Sequence, residues 1–310
     1  MSPPLLNVGL RHPGTFLWEA LSPIMNSDHS AYTHDCDLTL FIACYNEERG
    51  IIPTIETVVS AVTEMGLSYD VVIIDDCSTD RSVELILDYL RAHPTLPITL
   101  YVNGVNQGLG SNYAEGAFRG RGKYYRLICG DNVESKETLL TIFKKIGEAD
   151  MIIPYPAASD RGIFRRCVSQ AYTSLVNFLS GHRIRYYNGL PVNLRYNVMR
   201  WHSHSHGFGF QADLTTRLLD LKATYVEVPV YPTERTGGES KAFRFRNICS
   251  VAHTLLDIFI RRLGVLVYPR AAYQAVNQLR VYRASELDDG QTVKSFNDAD
   301  PDPAKSPRSA

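Results

Sequence analysis

Carboxylates and glycines stand at the ends of successive apolar runs in this 310-residue chain. The run Leu38–Ala43 leads into Cys44-Tyr45-Asn46-Glu47-Glu48, and the run from Tyr69 ends in Asp75-Asp76-Cys77-Ser78-Thr79-Asp80. Ile98–Val102 leads into Asn106-Gln107-Gly108-Leu109-Gly110, and Tyr124–Ile128 into Cys129-Gly130-Asp131-Asn132, with Glu134 close behind. Adjacent like charges repel unless something binds them, so Asp75 and Asp76 read as contacts to ribose hydroxyls, a base N–H or a metal. A carboxylate such as Asp131 at a strand end either holds Mg²⁺ or Mn²⁺, which in turn binds a diphosphate, or caps the helical stretch Lys136–Ile146. Gly108 and Gly110 let backbone N–H groups approach a ligand near a helix start. A dinucleotide fold would instead want such glycines after the first strand, with a third to follow. Taken alone, Asn46 and its two acids read as a helix cap with carboxylates beside the positive end of the dipole.

Further along, Arg235 and Lys241 flank Gly237, Gly238 and Ser240, a composition that suits an anion-binding loop better than a solvated basic turn. His202, His204 and His206 alternate with serines, which would put all three on one side of an extended segment. With no neighbouring Cys and no second His cluster, they read as a mobile acceptor-side loop rather than a metal site.

Elements that position these groups follow from periodicity. A stripe at Ile52, Ile55, Val59 and Val62 has helical spacing, as do Val83, Ile86, Leu87 and Leu90 behind Asp80 as a plausible N-cap. Met151–Ile153 supplies a fifth apolar run, Arg161–Val198 reads as a helix and then an extended segment, and a helix near Ala212–Leu221 precedes a strand at Tyr225–Val230. A last helix begins near Asn247, with apolar positions at Ile248, Val251, Ala252, Leu255, Ile258 and Phe259 among basic residues that include Arg244, Arg246, Arg261 and Arg262. Repeated β-α-β units imply an α/β fold whose mostly parallel sheet is covered on both faces, and in such sheets ligands bind outside the carboxyl ends of the strands.

Composition bounds the rest. The 32 basic and 33 acidic residues leave a net charge of -1, which argues against a partner such as DNA or RNA held by non-specific contact. The six cysteines are scattered without a C-x-x-C pair and read as reduced cytosolic thiols. No apolar run is long enough to span a bilayer, no signal peptide is evident, and Ser285–Ala310 has the composition of a disordered tail.

Each motif is modest by itself, but together they follow successive strands in a fixed order: Tyr-Asn-Glu-Glu, Asp-Asp-x-Ser-Thr-Asp, Asn-x-Gly-x-Gly and a strand-ending Asp. From Leu38 to Lys241 the chain resembles the family 2 glycosyltransferases of GT-A fold, and within them the dolichyl- or polyprenyl-phosphate mannose synthase-like branch. The resemblance continues through Tyr187-Asn188-Gly189, Gly209-Phe210-Gln211-Ala212-Asp213, Glu227-Val228-Pro229 and Arg235 to Lys241. It implies a GT-A nucleotide-binding sheet over residues 37–242, after an N-terminal extension (1–36) and before an amphipathic helical appendage (243–284) and the tail (285–310).

The resemblance further implies inverting transfer from a UDP- or GDP-linked sugar to a lipid-linked acceptor, with polyprenyl phosphate as a candidate. Tyr45, Glu47 and Asp76 match positions that cradle the nucleoside, with Asp75, Gly108, Gly110 and Ser240 as further donor-binding candidates. Asp131 matches the last acid of the D-x-D metal motif for Mg²⁺ or Mn²⁺. Arg235, Ser240 and Lys241 match an R-x-x-G-x-S-K element associated with phosphate groups, and Asp213 an acidic position beside the acceptor. Two departures stand out: Ala43 replaces a usual Pro, and Cys129 replaces the first acid of the D-x-D. Glu134 is a possible second metal ligand.

A phosphate acceptor is already an anion and hardly needs a base, whereas a sugar or lipid hydroxyl would make Asp213 the required base. Cys129 leaves open a catalytically silent nucleotide-sugar-binding protein, and a nucleotidyltransferase is a weaker alternative. The basic amphipathic helix suits either an anionic membrane surface or a homodimer interface. The expected location is cytoplasmic, peripheral on the inner face of the membrane.

Overall fold

The computed structural model describes residues 34–157, 163–201, 209–231 and 245–267. Five strands alternate with helices through β1 (Cys36–Cys44), α1 (Ile51–Met65), β2 (Tyr69–Asp75), α2 (Ser82–Ala92), β3 (Ile98–Val102), α3 (Leu109–Arg119), β4 (Gly122–Cys129), α4 (Lys136–Phe143) and β5 (Met151–Pro156). There follow α5 (Ile163–Ser180), β6 (Val192–Leu194), α6 (Arg195–Trp201), α7 (Phe210–Asp220), β7 (Tyr225–Val230) and α8 (Phe245–Val267). All five apolar runs of the sequence are strands.

The sheet order is β3-β2-β1-β4-β6-β5-β7. β1 pairs in parallel with β2 and β4, β2 with β3, and β5 with β7, while β6 runs antiparallel between β4 and β5. The chain therefore builds outward from β1 to β3 and then returns to place β4 on the other side of β1. The loops leaving β1 and β4 therefore meet at this switch point, at the carboxyl ends of the strands where ligands bind in such sheets. The register sets Cys44 beside Asp75 and Ala43 beside Cys129, so β1, β2 and β4 deliver their motifs at one level.

Alternation along β1 explains why both faces are covered. Leu38, Leu40 and Ile42 pack with Ile55, Val58 and Val62 of α1 and with Ile142 and Phe143 of α4. Phe41 packs on the other face with Tyr125, with Tyr113 and Ala117 of α3, and with Phe210 and Leu214 of α7. The buried stripe of α1 includes the expected Ile55 and Val62 but runs through Ile51 and Val58, about a quarter turn from the expected Ile52 and Val59, which lie at its margin.

In α2 only Ser82 and Ile86 are buried, and Leu87 is exposed. α8 packs against α5 and α7. It buries Thr254 and Ile258, whereas Phe259, expected in its packed stripe, is exposed. Residues 1–33 of the N-terminal extension, the three alternating histidines, the Arg235–Lys241 element and the tail lie outside the described residues, and Cys36, expected in the extension, opens β1.

Candidate active site

The loops after β1 and β2 are sewn together by short side chains. Ser78 Oγ accepts from the Asn46 N–H (2.9 Å), Ser82 Oγ from the Glu47 N–H (3.0 Å) and Asp80 Oδ2 from the Glu48 N–H (3.0 Å). In return Asn46 Oδ1 accepts from the Thr79 N–H at 2.7 Å. Asn46 is thus not the cap of α1. Gly50 holds that position with no side-chain bond, and Asn46 sits at φ 57, where its amide reaches across to β2's loop. Tyr45 is left largely exposed and Glu47 half-buried at the mouth of this seam.

Asp80 also accepts from the Ser82 N–H (3.0 Å) and hydroxyl (2.5 Å). Burial alone would raise its pKa, but the Ser82 and Glu48 hydrogen bonds outweigh that and hold it below the usual carboxylate range.

The adjacent acids have internal partners. Asp75 is fully buried and accepts from the Ser78 N–H (2.9 Å) and hydroxyl (2.5 Å). Asp76 accepts from Asn103 Nδ2 (3.0 Å) and from the backbone N–H groups of Gln107 (2.8 Å) and Gly108 (2.9 Å). Successive strand residues point to opposite faces, so the two charges are drawn apart into separate polar nests. Gly108 has φ 83 and is the N-cap of α3, a conformation that costs glycine little. Its N–H is directed at Asp76, and Gly110 lies buried in the first turn behind it. No external ligand is therefore needed to explain this pair of acids, which the residue types by themselves could not show.

Asp131 follows β4, half-buried and with Oδ1 shielded from solvent. It is not the cap of α4; Ser135 is, accepting from the Thr138 N–H at 3.3 Å. Gly130 N–H donates to Ala43 O at 3.0 Å and extends the β1–β4 pairing past the strand ends. A Cβ on Gly50 would lie 2.6 Å from Gly130 O and 2.8 Å from Asp131 Cα, so the start of α1 rests directly on the Asp131 backbone. Asn132 has φ 53 and accepts from Thr57 Oγ1 at 3.3 Å. Asn46, Cys77 and Asn132 thus put left-handed non-glycine residues in three neighbouring loops, a form of strain that concentrates at functional sites.

Two other positions of the expected metal region, Cys129 and Glu134, are accounted for differently. Cys129 occupies the first D-x-D position, and burial, then the Asp131 and Glu134 charges, push its thiol up to about 12. It is a neutral thiol, unsuited to a hard cation. Glu134, considered as a second ligand, is forked onto Arg126 instead, with Nη2–Oε1 at 2.6 Å and Nη1–Oε2 at 3.0 Å.

Among the described residues no three His, Cys, Asp or Glu side chains gather to hold a metal. One carboxylate still fits Mg²⁺ or Mn²⁺, since Mg²⁺ sites characteristically use one or two carboxylates with substrate phosphates and several waters.

Asp213 is 2% exposed on α7. Oδ2 accepts from Arg217 Nε at 3.0 Å and Oδ1 from Arg261 Nη1 of α8 at 2.6 Å. The structure brings Tyr45, Glu47, Asp75, Asp76, Gly108 and Asp131 to one sheet edge. Arg235, Ser240 and Lys241 are beyond the described residues.

A family model described as glycosyl transferase family 2 matches residues 39–206, more than half of the chain. The chain belongs to glycosyl transferase family 2. Its fold agrees with that of glucosyl-3-phosphoglycerate synthase from Mycobacterium tuberculosis in complex with UDP, at a TM-score of 0.55 and 16% identity over 73% of this chain and 80% of that one. The same enzyme with Mn²⁺, UDP and phosphoglyceric acid matches at 0.54 and 14%, covering 74% and 80%. A mannosyltransferase from Pyrobaculum calidifontis in complex with GDP-Man and Mn²⁺ matches at 0.49 and 14%, covering 84% and 86%.

This family 2 glycosyltransferase accordingly has the GT-A fold, and the chemistry of its class is transfer from a nucleotide sugar. Several residues that build its site have partners that no motif reveals. Ser78 and Ser82 bind partners more than 30 residues away. Asn103 lies between β3 and the glycine turn, and Arg126 is legible only as a lone charge inside an apolar run.

Proposed function

We propose that this enzyme transfers a sugar, with inversion, from a UDP- or GDP-linked donor to a lipid-linked acceptor, with polyprenyl phosphate as the leading candidate. The observation that carries the acceptor reading is the outer surface of α8. Leu256, Ile260, Leu263 and Val267 recur at helical spacing and are all exposed, Val267 at 73%, with Phe259 beside them. On α5, against which α8 packs, Phe178 is 83% exposed. A stripe of this kind, with Arg262 on the same helix, suits a helix lying on an anionic membrane surface. No helix among the described residues is long and apolar enough to cross a membrane, so the acceptor would be met from the surface.

At the donor side, Tyr45 and Glu47 stand where the nucleoside would rest, at the mouth of the seam that Asp75 and Asp76 brace. Asp131 would hold Mg²⁺ or Mn²⁺, as Mn²⁺ and UDP accompany each other in the M. tuberculosis synthase. Such an ion supplies positive charge to the leaving diphosphate. Arg235 and Lys241 would orient the acceptor phosphate, Arg235 through a bidentate fork.

Asp213 supports a phosphate rather than a hydroxyl acceptor. Both its oxygens already receive guanidinium N–H groups and the side chain is 2% exposed, an arrangement that suits a structural anchor more than a base open to a hydroxyl.

Purified enzyme incubated with labelled UDP- and GDP-sugars tests this, with liposomes containing polyprenyl phosphate, polyprenol or no acceptor. Label in the phosphate-containing lipid is the expected result. Label only in polyprenol would move the acceptor to a hydroxyl. No lipid labelling with any donor, with Mg²⁺ or Mn²⁺ present, would remove the lipid acceptor altogether. Light scattering of the same protein separates membrane contact from a homodimer that hides the α8 stripe.

A further inference from the structure

Arg126 lies in the middle of β4, fully buried, on the face where Tyr124 and Ile128 enter the apolar layer beneath α1 and α4. Taking an ion pair out of water costs several kcal/mol per ion, and replacing such a pair with apolar residues of like volume is often neutral or stabilising. Stability therefore does not explain a guanidinium here. Its geometry suggests another role.

The fork runs to Glu134, eight residues on, and closes residues 126–134 into a ring that contains Asp131. The ring is pinned at its other points by the Gly130 N–H on Ala43 O and by Thr57 on Asn132. Its one left-handed non-glycine residue, Asn132, needs such over-determination to persist. With Cys129 in place of the motif's first acid, one carboxylate must do the work of two, and its placement matters correspondingly more.

We propose that Arg126 and Glu134 are a positioning pair, whose fork sets the Asp131 carboxylate for the donor's diphosphate and its metal ion. The proposal rests on the reading that Asp131 binds that group. The fork acts as the outer partners of metal ligands do, whose loss typically lowers metal affinity about 10- to 100-fold.

The test is calorimetric binding of UDP or GDP, whichever the wild type takes, with and without Mn²⁺, alongside thermal melting. The variants are Arg126→Met/Glu134→Gln, Arg126→Lys and Asp131→Asn. The double variant removes both charges at once; Arg126→Lys keeps the charge and loses the fork.

Both fork variants are expected to melt close to the wild type and to bind nucleotide alone normally, while Mn²⁺-dependent tightening falls at least about tenfold. A purely structural role would lower melting without selectively moving this ratio. Should the double variant fail to fold, Arg126→Lys decides. Wild-type Mn²⁺ tightening in a folded fork variant, with Asp131→Asn losing it, overturns the positioning role alone. Wild-type tightening in Asp131→Asn overturns the metal reading, and the positioning role falls with it.

Discussion

Arg261 of α8 donates from Nη1 to Oδ1 of Asp213 on α7 at 2.6 Å, and the Asp213 side chain is buried from solvent. The same guanidinium reaches Asp220 Oδ2 at 3.1 Å and the Thr216 hydroxyl at 2.5 Å, one helix turn apart along α7. His182, in the turn after α5, lies 2.8 Å from the other oxygen of Asp220. One side chain thus ties the C-terminal helix to α7, and through Asp220 to the end of α5. The amphipathic helix is anchored on the catalytic fold by a polar network, with its apolar stripe turned outward.

Arg261→Met should therefore destabilise the enzyme by about 3 kcal/mol, chiefly because it takes one of two guanidinium partners from the buried Asp213 carboxylate. Urea unfolding measures this directly. A loss under about 1 kcal/mol would mean that α8 is held by its apolar contacts alone.

Asp213→Asn separates the two acceptor readings. With a phosphate acceptor, turnover per folded molecule should stay within a few-fold of wild type. Were Asp213 the general base, the loss would be about 10²- to 10⁴-fold. Initial rates on protein whose folded fraction is fixed by circular dichroism distinguish these outcomes.

Gly50→Ala should disturb the donor site from a residue that bears no functional group. The new Cβ would lie 2.6 Å from Gly130 O and 2.8 Å from Asp131 Cα, both backbone atoms that yield only if the loop moves. Overpacking of this kind costs about 1–3 kcal/mol. Nucleotide titration should show weaker Mn²⁺-dependent binding in Gly50→Ala, whereas Gly66→Ala, with open space around its Cβ, should bind normally.

Alkaline pH should weaken the fold through three thiols that are buried or half-buried. Burial first, then neighbouring acids, push Cys36, Cys44 and Cys129 up to about 12 from 9.0. The unfolded chain loses these protons near pH 9 while the folded chain keeps them. Their contribution is therefore complete below pH 9 and is lost as pH rises from 9 toward 12. Urea midpoints should be level between pH 7 and 8 and fall by pH 10, less steeply in Cys129→Ala. Iodoacetamide at pH 8 should modify exposed Cys167 and spare Cys129 until the protein unfolds.

Where the signal was local, the fold was legible in the residues. Tyr69–Asp75, Ile98–Val102 and Tyr225–Val230 are strands with the bounds their apolar runs mark. β6 was not, because three residues between two helices leave no periodicity to read, and its antiparallel pairing depends on β4 and β5 at distant positions. At the site, residue types identified which side chains gather but not what each one holds. Asn46 read as a cap because its partner, Thr79, is 33 residues away. Asp75 and Asp76 read as ligand contacts because the N–H groups of Gln107 and Gly108 come from beyond the next strand. Arg126 was the missed clue: a charge inside Tyr124–Ile128 demands a partner, and Glu134 stands eight residues later.

The central claim is that this family 2 glycosyltransferase transfers sugar to a lipid-linked acceptor through a donor site built on Asp131. Its most direct measurement is single-turnover transfer of labelled sugar into extractable polyprenyl-phosphate product by wild type and by Asp131→Asn, both verified as folded. The account predicts labelled lipid from the wild type and at least about a 100-fold slower reaction from the variant, the scale of losing a main electrostatic contributor at the leaving group. Equal rates in the two proteins, or no labelled lipid from the wild type with any UDP- or GDP-sugar, would contradict it.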